Sequence, residues 1–343
     1  MRIGILTGGG DCPGLNAAIR GVVRRSVDKH GSLTFGIKNG WKGLIEGWVE
    51  PLGLYAVSGI LPRGGTILGT SRTNPFKDPD SPLKIRDNIK KWDIDFIVAI
   101  GGEDTLTVAN KMHEMGIKTL GIPKTIDNDI SGTEFTFGFD TAVSIATEAI
   151  DRLHTTAESH HRIMVVEVMG RHTGWIAVYS GLAGGADFIL IPEVECDTQH
   201  LADVLKKRHA AGKTFSIVVV AEGARCKQFE NLVTQDDSVD EFGHIRLGGI
   251  GVKLKSEIQH LTGIDARVTV LGHVQRGGTP TAHDRVLASR FGVAAADAVH
   301  DQKSGSMVAL QRQQIVTIPL KDAIAKPKIV DPKLYEIAQV FFG

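Results

Sequence analysis

Three short stretches of this chain carry side chains at spacings that suit phosphate chemistry. In Thr125-Ile126-Asp127-Asn128-Asp129 two carboxylates stand two residues apart. On an extended backbone both point to one face, so one can take a proton from a hydroxyl while the other holds a cation or orients its partner. An Asx-rich turn fits the same residues. Gly101-Gly102-Glu103-Asp104-Thr105 sets two acids behind a glycine pair. Acids beside a phosphate loop make sense when a divalent cation lies between them, because bare carboxylates repel phosphate. A helix start capped by Asp104 or Thr105 accounts for either acid alone. Thr7-Gly8-Gly9-Gly10-Asp11-Cys12-Pro13-Gly14-Leu15-Asn16 offers backbone N–H groups at a helix N-terminus, where anions bind. It is neither GxGxxG nor a loop closed by Lys-Ser/Thr, and a purely structural turn fits it too.

Cations accompany these loops. Arg72 sits in Gly69-Thr70-Ser71-Arg72-Thr73, and Arg162, Arg171, Arg267 and Arg276 border expected strand ends. One such arginine reads as a surface charge. Several of them, in a chain without basic excess, read as bidentate phosphate clamps. Lys124, just before the paired acids, is either a phosphate ligand or a solvated charge. His154, His160 and His161 share a polar helical stretch, but their spacing and the absence of HExxH argue against zinc. Trp41, Trp48 and Trp175 read as core or interface residues.

The elements that must position these side chains follow from periodicity. Short apolar runs at 2–7, 96–100, 119–122, 163–168, 215–220 and 268–271 each end in a glycine-rich or polar loop, and several lead into a helical pattern. After the first run the helix is expected from Ala17 to about residue 27. In a parallel sheet the carboxyl ends of the strands share one edge, so the loops converge there. The expected fold class is α/β, with two wound sheets. Residues 227–244, rich in Asp, Gln and Asn, read as an exposed excursion, and the stretch after Ala325 carries no pattern of its own.

Composition excludes other classes. The chain has 343 residues, 42% hydrophobic and 23% charged, enough for two ordinary domains. Formal net charge is +0, which speaks against nucleic acid or a membrane surface as partner. No run approaches the ~18 apolar residues of a membrane span, and the N-terminal run is too short for a signal peptide. Cys12, Cys196 and Cys226 are far apart in sequence and form no CxxC pair, so reduced thiols in a cytoplasmic protein are expected.

Taken in order, the loops resemble those of phosphofructokinases. The resemblance rests on TGGGDCPGLNAAIRG from Thr7, GGTILGTSRTNP from Gly64, GGEDT from Gly101, PKTIDNDI from Pro123, VEVMGRHTGW from Val166, AEGA from Ala221 and LGHVQRGGTPTAHDR from Leu271. It spans nearly the whole chain, through about Ala325, and is closest to the short pyrophosphate-dependent enzymes of the actinobacterial-like branch. It implies two Rossmann-like three-layer α/β/α domains with the active site in the cleft between them. Residues 1–137 plus about 277–325 would form the donor domain, 138–276 the sugar-phosphate domain and 326–343 a C-terminal tail.

The same resemblance implies roles. Asp127 is the base that takes the proton of the sugar C1 hydroxyl, with Thr125 and Asp129 positioning the reactants. Arg72 and Arg171 neutralise the transferring phosphoryl group, and Glu103 helps hold Mg²⁺ where many relatives carry Asp. Gly10, Asp104 and Lys124 bind the donor. Met169, Gly170, Arg171, Glu222, His273 and Arg276 hold fructose 6-phosphate, with Arg162 and Arg267 supplied by a neighbouring subunit, so a homo-oligomer with shared sites is expected. In-line phosphoryl transfer needs positioning and charge stabilisation more than covalent chemistry, which suits this set.

Donor choice turns on Asp104. Relatives that use ATP normally have glycine there, and pyrophosphate-dependent relatives have Asp. A carboxylate fills and repels the space of a nucleotide α-phosphate but leaves pyrophosphate room. Lys124 replaces another glycine of many ATP enzymes and can bind a pyrophosphate oxygen, though some ATP-using relatives also carry Lys. Pyrophosphate is therefore the expected donor and ATP the alternative. A sugar-phosphate sensor would need no base, which sets it behind an enzyme. A nicotinamide dehydrogenase would need GxGxxG.

Overall fold

The apolar runs become strands, and the amphipathic stretches between them helices, in a computed structural model of the chain that describes residues 1–229, 234–239, 241–243 and 245–343. The strands are β1 (Arg2–Thr7), β2 (Leu33–Ile37), β3 (Val49–Pro51), β4 (Phe96–Gly101), β5 (Thr119–Thr125), β6 (Phe137–Gly138), β7 (Ile163–Val168), β8 (Phe188–Leu190), β9 (Ser216–Ala221), β10 (Thr234–Val239), β11 (Ile245–Leu247), β12 (Ala266–Val270), β13 (Ser306–Gln311) and β14 (Gln314–Pro319). The helices are α1 (Leu15–Arg24), α2 (Gly40–Glu46), α3 (Ser81–Lys91), α4 (Glu103–Glu114), α5 (Phe139–His160), α6 (Trp175–Ala183), α7 (Thr198–Ala210), α8 (Ile250–Thr262), α9 (Ala282–His300), α10 (Leu320–Ala323) and α11 (Pro332–Gln339). α1 starts two residues earlier than its pattern predicts and passes into a π-helical turn at Arg25–Lys29.

The chain divides into two compact α/β units. The first comprises Met1–Thr141, Asp240–His244 and Arg276–Pro327. Its eight-stranded sheet runs β14-β13-β5-β4-β1-β2-β3, with β6 beside the end of β5. β2, β1, β4, β5 and β13 are mutually parallel, while β3 and β14 run antiparallel at the edges. Every residue of β4 and β5 is buried, as expected of central strands covered on both faces. One face packs Leu6, Ile97 and Ala99 against Trp41, Leu44, Leu106 and Met112.

The second unit comprises Ala142–Val239, Ile245–Gln275 and Lys328–Gly343. Its four-stranded sheet, β12-β7-β9-β8, is parallel throughout. Val218 and Val220 of β9 face Leu201, Leu205 and Leu254 of α7 and α8. Ile217 and Val219 alternate to the other face and are equally buried, so this sheet too is covered on both sides. The stretch after Pro327, set aside as a tail on sequence, belongs to this unit because α11 buries Tyr335 and Ala338 in it.

Part of the 227–244 excursion, residues 230–233, 240 and 244, lies outside the described residues, and β10 pairs antiparallel with β11 across it. Cys196 and Cys226, distant in sequence, face each other in an isolated parallel bridge, and all three cysteines are free and buried. Among the described residues no helix is long and apolar enough to cross a membrane.

Candidate active site

In the first unit the loop after β1 is assembled from backbone contacts. Gly8 N–H donates to Ile100 O at 3.0 Å and Gly9 N–H to Ser71 O at 3.0 Å. Thr105, in the first turn of α4, leaves no room at Gly8: a Cβ there would lie 2.6 Å from Thr105 Oγ1. The segment before Arg72 is stitched alongside. Thr7 Oγ1 donates to Gly69 O at 2.7 Å, Thr70 Oγ1 to Gly9 O at 2.6 Å, and Asn16 Oδ1 accepts from Ile67 N at 2.9 Å. The structure thereby sets Arg72, exposed, beside the glycine loop.

Lys124 settles one open alternative. It is buried at 3% exposure, and its Nζ donates to Gly10 O, so it is no solvated charge. Burial lowers its pKa from the ordinary lysine range; the neighbouring Cys12 opposes this and the Arg276 guanidinium adds to it. Cys12 itself is fully buried, and burial pushes its thiol up to about 12, which removes it as a nucleophile. Arg276 Nη1 donates to Asp11 O at 3.4 Å, so this arginine, grouped on sequence with the sugar ligands, lies on the glycine loop. Its buried Nε has no hydrogen-bond partner among the described residues.

The two acidic stretches depart from their simplest readings. The cap of α4 is Gly102, with extended backbone and no side-chain cap, so Glu103 and Asp104 stand in the first turn and neither Asp104 nor Thr105 caps the helix. The 125–129 segment is not extended, because Asn128 takes φ 53°. A shared face for Asp127 and Asp129 thus does not follow from strand geometry. Instead Asp127 N–H donates to Thr125 Oγ1 at 3.1 Å, and Thr125 Oγ1 donates to Asp127 Oδ2 at 3.4 Å. Thr136, which the motifs did not include, holds this turn. Its Oγ1 donates to Thr125 O at 2.8 Å, and its N–H donates to Asn128 Oδ1 at 3.1 Å.

No cluster of three or more His, Cys, Asp or Glu suited to a metal occurs among the described residues. Glu103, Asp104, Asp127 and Asp129 are hard oxygen donors. Mg²⁺ usually takes one or two carboxylates and completes its shell with water and substrate phosphates, so this donor set fits it.

In the second unit the loops after β7, β9 and β12 meet at one sheet edge. Glu222 N–H donates to Val168 O at 2.9 Å and Gly223 N–H to Gly170 O at 3.0 Å. A Cβ on Gly223 would lie 1.9 Å from Arg171 O, so only glycine allows these two loops to close on each other. Gln275 Oε1 accepts from Met169 N at 3.4 Å, and Leu271 N–H donates to Glu167 O at 3.0 Å. Met169, Gly170, Arg171, Glu222 and His273 are thereby gathered on three adjoining loops.

Arg162 and Arg267 are not gathered with them. They lie at the amino ends of β7 and β12, and the length of β7 puts roughly 20 Å between Arg162 and Met169. There they share one carboxylate: Arg162 Nε donates to Asp265 Oδ2 at 2.7 Å, and Arg267 Nη1 to Asp265 Oδ1 at 2.6 Å. Asp265 was missed on sequence, as was Glu167. Glu167, the second residue of the VEVMGR motif, is buried and accepts from Gly249 N at 3.1 Å and Gly251 N at 2.7 Å, anchoring the start of α8. Alternation along β7 was the only local signal, and a buried acid inside an apolar run marks a bonding partner without saying which.

Comparison with known proteins identifies the family. The family model described as phosphofructokinase matches residues 2–299. A pyrophosphate–fructose 6-phosphate 1-phosphotransferase from Streptomyces coelicolor is 56% identical over 344 residues, covering 100% of both chains. An ATP-dependent 6-phosphofructokinase 3 from the same organism is 51% identical, covering 99% of each. Among solved structures, phosphofructokinase from Saccharomyces cerevisiae superposes with TM-score 0.83 at 32% identity, covering 99% of this chain and 46% of the yeast chain. The protein belongs to the phosphofructokinase family.

Proposed function

We propose that this chain transfers a phosphoryl group from pyrophosphate to the C1 hydroxyl of fructose 6-phosphate, giving fructose 1,6-bisphosphate and phosphate, reversibly. The observation that carries the donor assignment is the placement of Asp104. It stands in the first turn of α4, next to the Thr105 side chain that packs on Gly8 of the glycine loop. A carboxylate there repels the extra phosphate of a nucleotide. The 56% identical relative bears the name of this same activity.

In this reading the first unit holds the donor and the second the sugar phosphate. Asp127 accepts the C1 hydroxyl proton as the oxygen attacks phosphorus and the bond to the leaving phosphate breaks. Thr125, hydrogen-bonded to Asp127, orients the carboxylate, and Asp129 positions the reactants. Gly10, Asp104 and Lys124 receive the donor. Arg72 and Arg171 offset the charge of the transferring group. Met169, Gly170, Arg171, Glu222, His273 and Arg276 bind the sugar phosphate. Glu103 would hold Mg²⁺, which when bound neutralises phosphate charge.

Arg162 and Arg267, paired on Asp265 and far from their own Met169 loop, serve the site of a second copy in a homo-oligomer. The enzyme works in the cytoplasm, since its phosphorylated substrates do not cross a bilayer unaided. A second reading, ATP as donor, has the 51% identical relative on its side. Assaying the purified protein on fructose 6-phosphate with Mg-pyrophosphate and with Mg-ATP separates the two. Turnover with pyrophosphate well above that with ATP is expected, and a preference for ATP would overturn the donor assignment.

A further inference from the structure

The loop that carries Arg171 is tied to the C-terminal segment by a carboxylate outside the family motifs. Gly174 closes that loop as the cap of α6, and its N–H donates to both oxygens of Glu193, at 3.1 and 3.0 Å. Glu193 Oε1 also accepts from Val330 N at 3.0 Å. One residue further along, Trp175 Nε1 donates to Lys328 O at 2.8 Å, and the Lys328 ammonium lies 5.3 Å from the centroid of the same indole ring.

The far end of the segment is fastened as well. Tyr335 OH donates to Ile189 O at 2.9 Å inside the core, and Phe342 stacks on Phe188 with ring centroids 4.4 Å apart. Residues 328–343 therefore form a strap anchored at both ends within the second unit. A carboxylate at a helix N-terminus is well placed for charge-assisted bonds to otherwise orphaned N–H groups. Glu193 uses one carboxylate to satisfy the N–H of the α6 cap and to hold the strap against it.

We propose that Glu193 is a positioning residue for sugar-phosphate binding. By joining Gly174 N–H to Val330 N–H it fixes the loop from Met169 to Gly174, and with it the placing of the Arg171 guanidinium. The proposal rests on the reading that Met169, Gly170 and Arg171 bind fructose 6-phosphate.

The test uses the full-length chain with Glu193→Ala, Glu193→Gln and Trp175→Phe. Steady-state rates are measured with each substrate varied, and fructose 6-phosphate binding is titrated without donor. For Glu193→Ala, KM and Kd for fructose 6-phosphate should rise about 10- to 100-fold while KM for pyrophosphate stays within about twofold, because small displacements of a binding loop are costly only for the substrate it holds. Glu193→Gln keeps an acceptor oxygen and should recover most of the loss, and Trp175→Phe should shift the same constant less. An unchanged KM for fructose 6-phosphate, or an equal rise for both substrates, would overturn the proposal. If Glu193→Ala does not fold, a fructose 6-phosphate KM that neither Glu193→Gln nor Trp175→Phe moves would overturn it equally. Failure of the wild-type chain to bind fructose 6-phosphate in the titration would overturn the underlying reading, and the proposal with it.

Discussion

In the first unit the glycine loop is held by backbone lying close against backbone and by short hydroxyl bonds, whereas in the second a carboxylate from another element, Glu193, joins the backbone bonds that hold the loop after β7. The glycine loop after β1 is pinned by Gly8 N–H on Ile100 O, by Gly9 N–H on Ser71 O and by hydroxyls of Thr7 and Thr70. Each of these residues lies in, or next to, a loop already marked by its glycines. The second unit adds to its backbone bonds two carboxylates, Glu167 of β7 at the start of α8 and Glu193 at the start of α6. Gly223 against Arg171 O and Gly170 against Thr173 O repeat the close approach of the first unit. The contrast teaches that a glycine turn between a strand and a helix is written locally, while the loop that carries Arg171 draws support from a distant carboxylate.

If the first unit carries the proton chemistry and the second the sugar recognition, their variants should fail differently. The largest effect is expected at Asp127. Asp127→Asn keeps the shape of the Thr125 turn but cannot accept the hydroxyl proton, so kcat should fall about 10²–10⁴-fold with smaller changes in KM. Near-normal turnover would remove Asp127 as base and blur the division between the units.

Gly223→Ala acts on the other side of the comparison. Its Cβ would sit 1.9 Å from the Arg171 carbonyl oxygen, so the loop must move. A loss of about 10²-fold in kcat/KM for fructose 6-phosphate is expected, with KM for pyrophosphate nearly unchanged. Steady-state kinetics with both substrates varied decides this. A matching loss for pyrophosphate would mean that the second unit also governs the donor.

Asp104→Gly sharpens the donor assignment within the first unit. Removing the carboxylate should shift the ratio of kcat/KM for ATP over pyrophosphate by about 10- to 100-fold toward ATP, the range that the loss of a like-charge contact gives. An unchanged ratio would show that Asp104 is not the gate.

The smallest expected effect concerns Lys124. Burial holds its pKa below the ordinary lysine range, so its ammonium loses the proton at lower pH than an exposed lysine. kcat/KM for pyrophosphate should therefore decline on the alkaline side before ordinary lysines titrate. Lys124→Met should lower the plateau and abolish that decline, which a pH–rate profile of both proteins checks.

Much of the site was legible in the sequence because its chemistry is local. A strand, a glycine turn and a helix start lie within about twenty residues, so the place of the proposed anion cradle was readable, as was the pairing of Thr125 with Asp127, the proposed base. The α/β class followed from alternating periods. Tertiary structure decided what depends on contacts across many residues. It buried Lys124 against Gly10, set Arg276 on the glycine loop and turned Asn128 to positive φ, so that Asp127 is placed by Thr136 and not by strand alternation. It separated Arg162 and Arg267 from Arg171 by the length of β7, and it folded the patternless C-terminus into a strap under the Arg171 loop. The physical reason is range. Glycine conformation and strand period are properties of a few neighbouring residues, whereas a buried carboxylate declares only that it has partners, and the fold alone supplies them.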